Sequence, residues 1–330
     1  MVSILLPFRN AASTLDAAVS SMAEQSLKDW ELLLIDNAST DHGAELAERW
    51  VERDDRIKLC RESHIGIAHA LARGLAGANG RYIARMDADD TALPERLEKQ
   101  VRHLDAHPDI GVSSTRTRFK TSMARSSGMR SFVEWQNALI TPSEHFVKRF
   151  IDAPLAHPTV MFRRELVERH GGYSTGPVPE DHELWLRWMD AGVRFEKLPE
   201  ELLIWNDHPL RLSRTHPNYS VHSFYRTKVK WLAKWLQRIL EGRTVIVAGT
   251  STLCRERANL LENEGIKVYA FTDVRHRELT CHRFIAHNEL PPGDEAFVVS
   301  FISQRGTGER IAAFLTSRGM MEGRDFILGA

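Results

Sequence analysis

Hydrophobic and polar positions change their spacing repeatedly along the first hundred or so residues. Short apolar runs alternate with longer stretches in which apolar side chains recur every three or four positions. The first pattern predicts buried strands and the second predicts amphipathic helices. The predicted strands are VSILLP, ELLLID, IKLC and RYIARM, and the predicted helices cover about residues 13–24, 43–52, 66–76 and 94–106. This alternation is typical of an α/β fold with a mostly parallel sheet between layers of helices.

A second alternating block begins near residue 242. Its predicted strands are RTVIVAG, KVYAFTD, AFVVSF and DFILGA, with helical patterns over about residues 253–264 and 308–318. The block predicts a smaller Rossmann-like α/β domain, although Gly249 stands alone where a dinucleotide fingerprint has three glycines. We therefore expect an accessory domain without a bound dinucleotide. Homodimer formation, docking of a partner and orientation of an acceptor remain open as its role.

The chain of 330 residues is long enough for two domains with separate cores. We predict a large domain over residues 1–221, a connecting helix over 222–241 and the Rossmann-like domain over 242–330. Within residues 224–240, tryptophan and leucine side chains share one helical face and lysine and arginine provide positive charge. This pattern is found in peripheral membrane contacts, and more often in a connecting helix packed on its own domain.

Residues 115–145 lack a clear apolar period. Basic and small side chains mix there, so we predict a mobile loop or lid.

Charge and cysteine content narrow the class of protein. Lys plus Arg and Asp plus Glu both number 44, so the formal charge is zero and no affinity for nucleic acid is expected. Cys60, Cys254 and Cys281 are widely spaced, which indicates reduced thiols and no disulfide or zinc framework. The opening MVSILLPFRN has no basic leader. We therefore expect a cytoplasmic protein, either soluble or peripheral at the inner face of the membrane.

Acidic and amide side chains collect at two predicted strand ends. Asp36 and Asn37 end the second strand, and Asp87, Asp89 and Asp90 follow the fourth. The carboxyl ends of parallel strands open on one crevice, so these side chains are predicted to face a common ligand. Asp90 is also a candidate cap for the next helix. A divalent ion that bridges carboxylates to substrate phosphates would offset the repulsion among the acids.

These motifs, in this order, resemble the family 2 glycosyltransferases, which are inverting enzymes of the GT-A fold. The resemblance covers about residues 2–215 and rests on SILLPFRN, LLLIDNASTD, YIARMDADD and PEDHELW. It implies transfer of a sugar from a nucleotide-diphosphate sugar, with UDP favoured, to a hydroxyl of a glycan or lipid-linked acceptor. The implied pathway is the synthesis of surface polysaccharide or lipopolysaccharide. A catalytically inactive nucleotide-sugar-binding protein of the same fold is the alternative.

The resemblance also implies a divalent metal site. Asp87 and Asp89 match the DxD motif of the family, in which the last acid binds Mn²⁺ or Mg²⁺ on the donor diphosphate. His208 matches a histidine of the closing segment of the family and is the third implied metal ligand.

The remaining roles are assigned by the same match. Asp181 corresponds to the catalytic base, and Glu180 and Asp90 are implied acceptor-side or supporting residues. Donor binding is implied for Pro7, Phe8, Asn10, Asp36, Asn37, Gly66, Asp87 and Asp89.

Two positions depart from the pattern of the family. Asn37 stands where relatives carry a second acid, and Ala72 stands where they carry Asn. The amide oxygen of Asn37 is able to accept from a uracil N3–H and its NH₂ is a donor, so the base preference stays open.

Overall fold

A computed structural model describes residues 1–123, 126–209, 211–274, 282–304 and 306–330. Two compact units are present: Met1–His145 with Pro154–His216, and Phe146–Ala153 with Pro217–Ala330. The helix predicted as a connector belongs to the second unit, as does a short segment from within the predicted first domain.

The first unit is built on an eight-stranded sheet. Its strands are β1 (Val2–Phe8), β2 (Trp30–Asp36), β3 (Ile57–Arg61), β4 (Tyr82–Arg85), β5 (Thr91–Ala92), β6 (Ile110–Thr121), β7 (Met161–Arg163) and β8 (Arg194–Asp207). The helices in this part of the chain are α1 (Leu15–Ala23), α2 (Gly43–Arg53), α3 (Ile67–Gly77), α4 (Arg96–Ala106), α5 (Ser127–Ala138), α6 (Pro142–Lys148), α7 (Glu165–His170), α8 (Glu180–Asp190) and α9 (Leu212–Thr215).

The strands lie in the order β3-β2-β1-β4-β7-β6-β8-β5. β3, β2, β1 and β4 are mutually parallel, β7 is antiparallel to both its neighbours, and β5 is antiparallel to β8. This confirms the predicted mostly parallel α/β sheet. β1 and β2 are buried along their whole length, as strands of a sheet covered on both faces must be. Phe8 pairs with Asp36, and Leu5 with Arg85, so the carboxyl ends of β1, β2 and β4 lie at one edge.

The prediction of a mobile loop over residues 115–145 is wrong for the described part of that range. β6 continues to Thr121 and pairs in parallel with β8, and two helices follow. The strand escaped the hydrophobic pattern because its buried positions include the small polar residues Ser113, Thr115 and Thr117. The backbone N–H of Thr117, for example, donates to the side-chain oxygen of Asn137 at 3.0 Å.

The second unit contains a five-stranded sheet in the order β11-β10-β9-β12-β13. Its strands are β9 (Thr244–Ala248), β10 (Val268–Asp273), β11 (Arg283–Ala286), β12 (Ala296–Ser300) and β13 (Phe326–Leu328). Its helices are α10 (Val221–Ile239), α11 (Thr252–Asn263) and α12 (Thr307–Ser317). All strand pairs are parallel, which confirms the predicted Rossmann-like arrangement. The sequence pattern did not reveal β11.

The apolar face of α10 is used for packing within the second unit. Trp235 is 6% exposed, and its ring centroid lies 6.1 Å from that of Phe146, 6.0 Å from Phe150 and 5.8 Å from Phe297. Leu236 on the same face is fully buried. This packing accounts for the burial of Trp235 and Leu236 on the apolar face of the helix. Among the described residues, no helix has the length and apolar character needed to cross a bilayer.

Two of the three cysteines belong to the described residues. Cys60 and Cys254 are free thiols, and Cys281 lies outside the described residues.

Candidate active site

Three carboxylates meet just after the end of β4. One oxygen from each of Asp87, Asp89 and Asp90 lies within 4.8 Å of the others. We call these three residues the acid cluster. Asp90 is 1% exposed, whereas Asp87 and Asp89 are partly exposed. The cluster therefore combines one carboxylate inside the protein with two that reach the surface.

Two arginines offset the charge of the acid cluster. Arg85 is 1% exposed and donates from Nη2 to Oδ1 of Asp87 at 2.6 Å. Arg211 places its Nη2 3.5 Å from Oδ2 of Asp87 and its Nη1 3.6 Å from Oδ1 of Asp90. Burial raises the pKa of Asp87, but the two guanidinium groups outweigh burial and hold that pKa below its usual value. Asp87 is therefore ionised at neutral pH.

His208 and Asn206 reach the acid cluster from the end of β8. The Nε2 atom of His208 lies 2.7 Å from Oδ2 of Asp89, and the side-chain NH₂ of Asn206 donates to the backbone carbonyl of Asp89 at 2.9 Å. The residues predicted as metal ligands are thus brought together, although the chain separates His208 from Asp89 by 119 positions. The pairing of β5 with β8 explains this proximity, because Thr91 lies opposite Ile204.

Asp90, a candidate cap from the sequence, does not cap the following helix. α4 begins at Arg96 after Glu95, and the side chain of Gln25 accepts the N–H of Leu97 in its first turn at 3.0 Å. Oδ1 of Asp90 instead accepts the backbone N–H of Asn206 at 2.9 Å. Its Oδ2 is buried and has no hydrogen-bond partner among the described residues. Burial raises the pKa of Asp90 well above its usual value; Arg211 opposes that shift and the neighbouring carboxylates add to it.

The ends of β1 and β2 lie beside the end of β4. Asp36 is 7% exposed, and its Oδ1 accepts the backbone N–H of Ser39 at 3.0 Å. The side chain of Asn37 is buried and holds the loop that precedes α3. Its amide oxygen accepts the N–H of Gly66 at 2.7 Å, and its NH₂ donates to the carbonyls of Glu62 and His64 at 3.2 and 2.8 Å. The Asn37 amide, which from the sequence is able to accept from a base, is therefore engaged within the chain.

The other predicted donor residues shape the same edge. Asn10 has a φ of 52°, and its side-chain oxygen accepts from the backbone N–H of Thr40 at 2.8 Å, which ties the loops after β1 and β2 together. Gly66 has a φ of 143°, a conformation that favours glycine, directly before α3. Pro7 is buried in β1, and the ring of Phe8 belongs to the hydrophobic core.

The pair Glu180 and Asp181 begins α8. The N-cap position is Pro179, so neither acid occupies it. Oδ1 of Asp181 accepts the backbone N–H of His182 at 2.7 Å. Glu180 is 3% exposed, and its Oε1 lies 3.7 Å from Nδ1 of His157. Asp181 is partly exposed and is therefore the member of the pair that a substrate is able to reach.

A buried tyrosine connects this acidic pair electrostatically to the acid cluster. The hydroxyl of Tyr173 lies 2.8 Å from Nε2 of His157. Burial raises the pKa of Tyr173, Arg85 opposes that shift, and the charges of Glu180, Asp181 and Asp87 add to it. The backbone N–H of Arg85 also donates to the carbonyl of Val160 at 3.0 Å, so the turn that contains His157 lies beside the end of β4.

Sequence reasoning missed Arg211 and Tyr173. Arg211 lies three residues after His208, and an arginine so close to a candidate ligand of an acid cluster was a usable signal. Tyr173 follows two glycines and had no comparable signal. His157, a lesser candidate from sequence, is buried in a 3-10 turn (His157–Thr159), and burial lowers its pKa well below the usual value, so the ring is neutral.

Residues 3–171 match the family model described as Glycosyl transferase family 2. The chain belongs to this family, and the protein is a glycosyltransferase.

Individual relatives agree with that class, and a solved structure agrees with the fold. EpsE of Bacillus subtilis (strain 168), assigned to the glycosyltransferases, is 35% identical over 209 residues, which are 61% of this chain and 71% of EpsE. The amylovoran biosynthesis glycosyltransferase AmsE of Erwinia amylovora is 27% identical over 62% of this chain and 75% of AmsE. A crystal structure of S. aureus TarS 1–349 in complex with UDP-GlcNAc has a TM-score of 0.57 at 15% identity, covering 80% of this chain and 71% of that one. At that identity the likeness shows the fold alone.

Proposed function

We propose that this glycosyltransferase moves a sugar, with inversion, from a nucleotide-diphosphate sugar to a hydroxyl of a glycan or lipid-linked acceptor. The observation that carries the proposal is the meeting of three carboxylates after β4, with oxygens within 4.8 Å of one another, beside the imidazole of His208. A role in the synthesis of a cell-surface polysaccharide is supported by the likeness to AmsE. A UDP-sugar donor is supported by the likeness to TarS, whose structure contains UDP-GlcNAc.

The acid cluster fits a divalent metal. Three carboxylates with oxygens within 4.8 Å, one of them with a buried oxygen that lacks a partner, form a set of hard ligands suited to Mn²⁺ or Mg²⁺. His208 adds an imidazole nitrogen, which Mn²⁺ accepts. Asp89, Asp87 and His208 would hold the ion, and Asp90 would support them. When bound, such an ion stabilises negative charge that develops on the leaving diphosphate.

Asp181 acts as the general base. Its carboxylate lies in the first turn of α8, where the positive end of the helix dipole favours the ionised form. It takes the proton of the acceptor hydroxyl as that oxygen bonds to the anomeric carbon and the bond from this carbon to the diphosphate oxygen breaks. Glu180, buried against His157, holds the first turn in place.

The ends of β1 and β2 bind the nucleotide. Asp36 provides a carboxylate at these strand ends, and this carboxylate accepts a hydrogen bond from the ribose or the base. Asn37, Asn10 and Gly66 act by holding the loops around it, because their polar groups are bonded to other parts of the chain.

The test compares Asp181→Asn with Asp190→Asn, a matched change at the other end of α8. Donor binding is measured as the rise in melting temperature with UDP, GDP and dTDP sugars plus Mn²⁺, and turnover as release of the nucleoside diphosphate. We expect Asp181→Asn to keep donor binding and lose turnover by about 10²–10⁴-fold, and Asp190→Asn to keep both. Full turnover in Asp181→Asn would overturn the assignment of the base. No thermal response to any sugar nucleotide would overturn the proposed donor.

A further inference from the structure

The second unit contains a cavity of about 660 Å³ at the carboxyl edge of its parallel sheet. This volume is within the range of about 300–1,000 Å³ that small-molecule sites occupy. The ends of β9, β10 and β12 all contribute to the wall, through Ala248, Thr272 and Phe301 among others. The cavity lies within the second unit alone and shares no residue with the acid cluster.

The cavity lies at the point where the order of the strands reverses. From β9 the chain builds outward through β10 to β11, and then crosses to the other side of β9 to form β12 and β13. In open parallel sheets, ligands bind in the crevice beside this reversal, at the carboxyl ends of the strands. The cavity therefore lies where the topology of a parallel sheet favours a ligand site, and imperfect packing is not needed to explain it.

One buried hydroxyl of the wall points to a ligand. Thr272 is 3% exposed and lines the cavity, and its hydroxyl has no hydrogen-bond partner among the described residues. A buried hydroxyl without a partner costs free energy, which a polar ligand group would recover. Gly249 has a φ of 106°, and a Cβ there would lie 2.6 Å from the Sγ atom of Cys254, so only glycine fits this turn.

Two N–H groups that the diphosphate of a dinucleotide would use are already bonded within the chain. Such a diphosphate uses the free N–H groups of the turn after the first strand and of the helix that follows. Here the N–H of Thr250 donates to Oδ2 of Asp273 at 3.0 Å, and the N–H of Cys254 donates to the hydroxyl of Ser251 at 3.3 Å. A phosphate in this place would also meet the negative charge of Asp273.

The remaining chemistry of the wall suits a nucleoside. Asp273 ends β10, the position from which an acid recognises the hydroxyls of a ribose. Most of the other wall is apolar, including Leu253, Ile302, Ile311 and Phe314, which suits the faces of a planar base. We infer that this cavity is a second ligand site, which takes a ribonucleoside whose 5′ substituent is not a diphosphate.

The experiment uses the full chain and isothermal titration calorimetry. The probes are adenosine, guanosine, uridine and cytidine, their 2′-deoxy forms, and NAD⁺. Three variants locate the binding. Leu253→Trp narrows the cavity at a side chain that is 43% exposed, and Asp273→Asn removes the negative charge that would accept from the ribose hydroxyls. Asp36→Ala alters the donor edge of the first unit. Thermal unfolding of each variant checks that it folds. If Asp273→Asn does not fold, Leu253→Trp alone locates the binding.

We expect a ribonucleoside to bind wild type and Asp36→Ala equally, and to bind Leu253→Trp and Asp273→Asn at least about tenfold more weakly. The 2′-deoxy form should bind wild type about as weakly as the ribonucleoside binds Asp273→Asn. Three results would overturn the inference: no binding of any ribonucleoside, loss of binding in Asp36→Ala alone, or tighter binding of NAD⁺ than of adenosine. Failure of the donor assay described above would leave this test intact, because the two sites share no residue.

Discussion

The Nε2 atom of His208 lies 2.7 Å from the Oδ2 atom of Asp89. The side chain of His208 is 40% exposed and that of Asp89 is 24% exposed, so both groups are accessible from solvent. An imidazole nitrogen and a carboxylate oxygen at this separation are positioned to share one divalent ion.

His208→Ala should therefore weaken the binding of the metal ion without abolishing it. We expect the Mn²⁺ concentration for half-maximal donor hydrolysis to rise by about tenfold or more, because one nitrogen ligand of several is lost. Titration of activity with Mn²⁺ measures the effect, and His222→Ala, at an exposed histidine outside the acid cluster, is the control. Equal Mn²⁺ dependence in the two variants would remove His208 from the ligand set.

Arg211→Met should make folding depend on a divalent ion. Arg211 faces both Asp87 and Asp90, and its side chain is 9% exposed. Loss of its charge leaves the buried Asp90 and the partly exposed Asp87 without one of their counter-charges, and for a buried carboxylate this typically costs about 3–5 kcal/mol. We expect a lower melting temperature that Mn²⁺ restores to a greater extent than it raises that of wild type. Arg211→Lys, which keeps the charge, should have a melting temperature between those of wild type and Arg211→Met. If Mn²⁺ does not raise the lowered melting temperature of Arg211→Met, this account is contradicted.

Asn37→Asp should destabilise the protein even though it introduces the acid that relatives carry. The carboxylate would still accept the N–H of Gly66, but it would face the carbonyls of Glu62 and His64, to which the amide now donates. Loss of these two buried hydrogen bonds is worth about 1–3 kcal/mol. Urea unfolding of the variant beside wild type and Asn37→Ala measures this. A variant as stable as wild type would mean that the loop rearranges around the acid.

The first sheet and the location of the acid cluster were predictable because both depend on local signals. Apolar runs of strand length marked β1, β2 and β4, and carboxylates directly after such a run have few structural uses. Parallel strands bring such ends to one edge whatever the connecting segments contain. The outline of the candidate site therefore follows from local pattern and from one rule of topology.

The partners of these groups were not predictable in the same way. Arg211 approaches Asp87 and Asp90 only because β8 pairs with β5, a contact between segments more than a hundred positions apart. The role of Asn37 depends on where the loop at Gly66 folds back, which no periodicity encodes. β6 was missed because serine and threonine fill its buried positions, so hydrophobicity alone did not mark it as a strand.

Glu31 should control part of the acid sensitivity of the first unit. Its Oε1 accepts from the hydroxyl of Ser3 at 2.6 Å and from the N–H of Asn79 at 2.7 Å, and its Oε2 lies 2.8 Å from Nζ of Lys58. Burial raises the pKa of Glu31, but these donors, led by Lys58, outweigh it and lower the pKa from 4.5 to about 2.

Because the folded pKa is the lower one, the stability contributed by Glu31 is fully present above the unfolded pKa of 4.5 and is lost as the pH falls towards 2. The contribution is of the order of 2 kcal/mol. Glu31→Gln should be less stable than wild type at neutral pH, and its urea midpoint should fall less steeply across this acid range. Glu45→Gln, at an exposed glutamate, is the matched control and should keep the wild-type slope. If the urea midpoint of Glu31→Gln changes with pH as steeply as that of wild type, other carboxylates govern acid unfolding. Only a group whose pKa differs between the folded and unfolded states is able to change this dependence on pH.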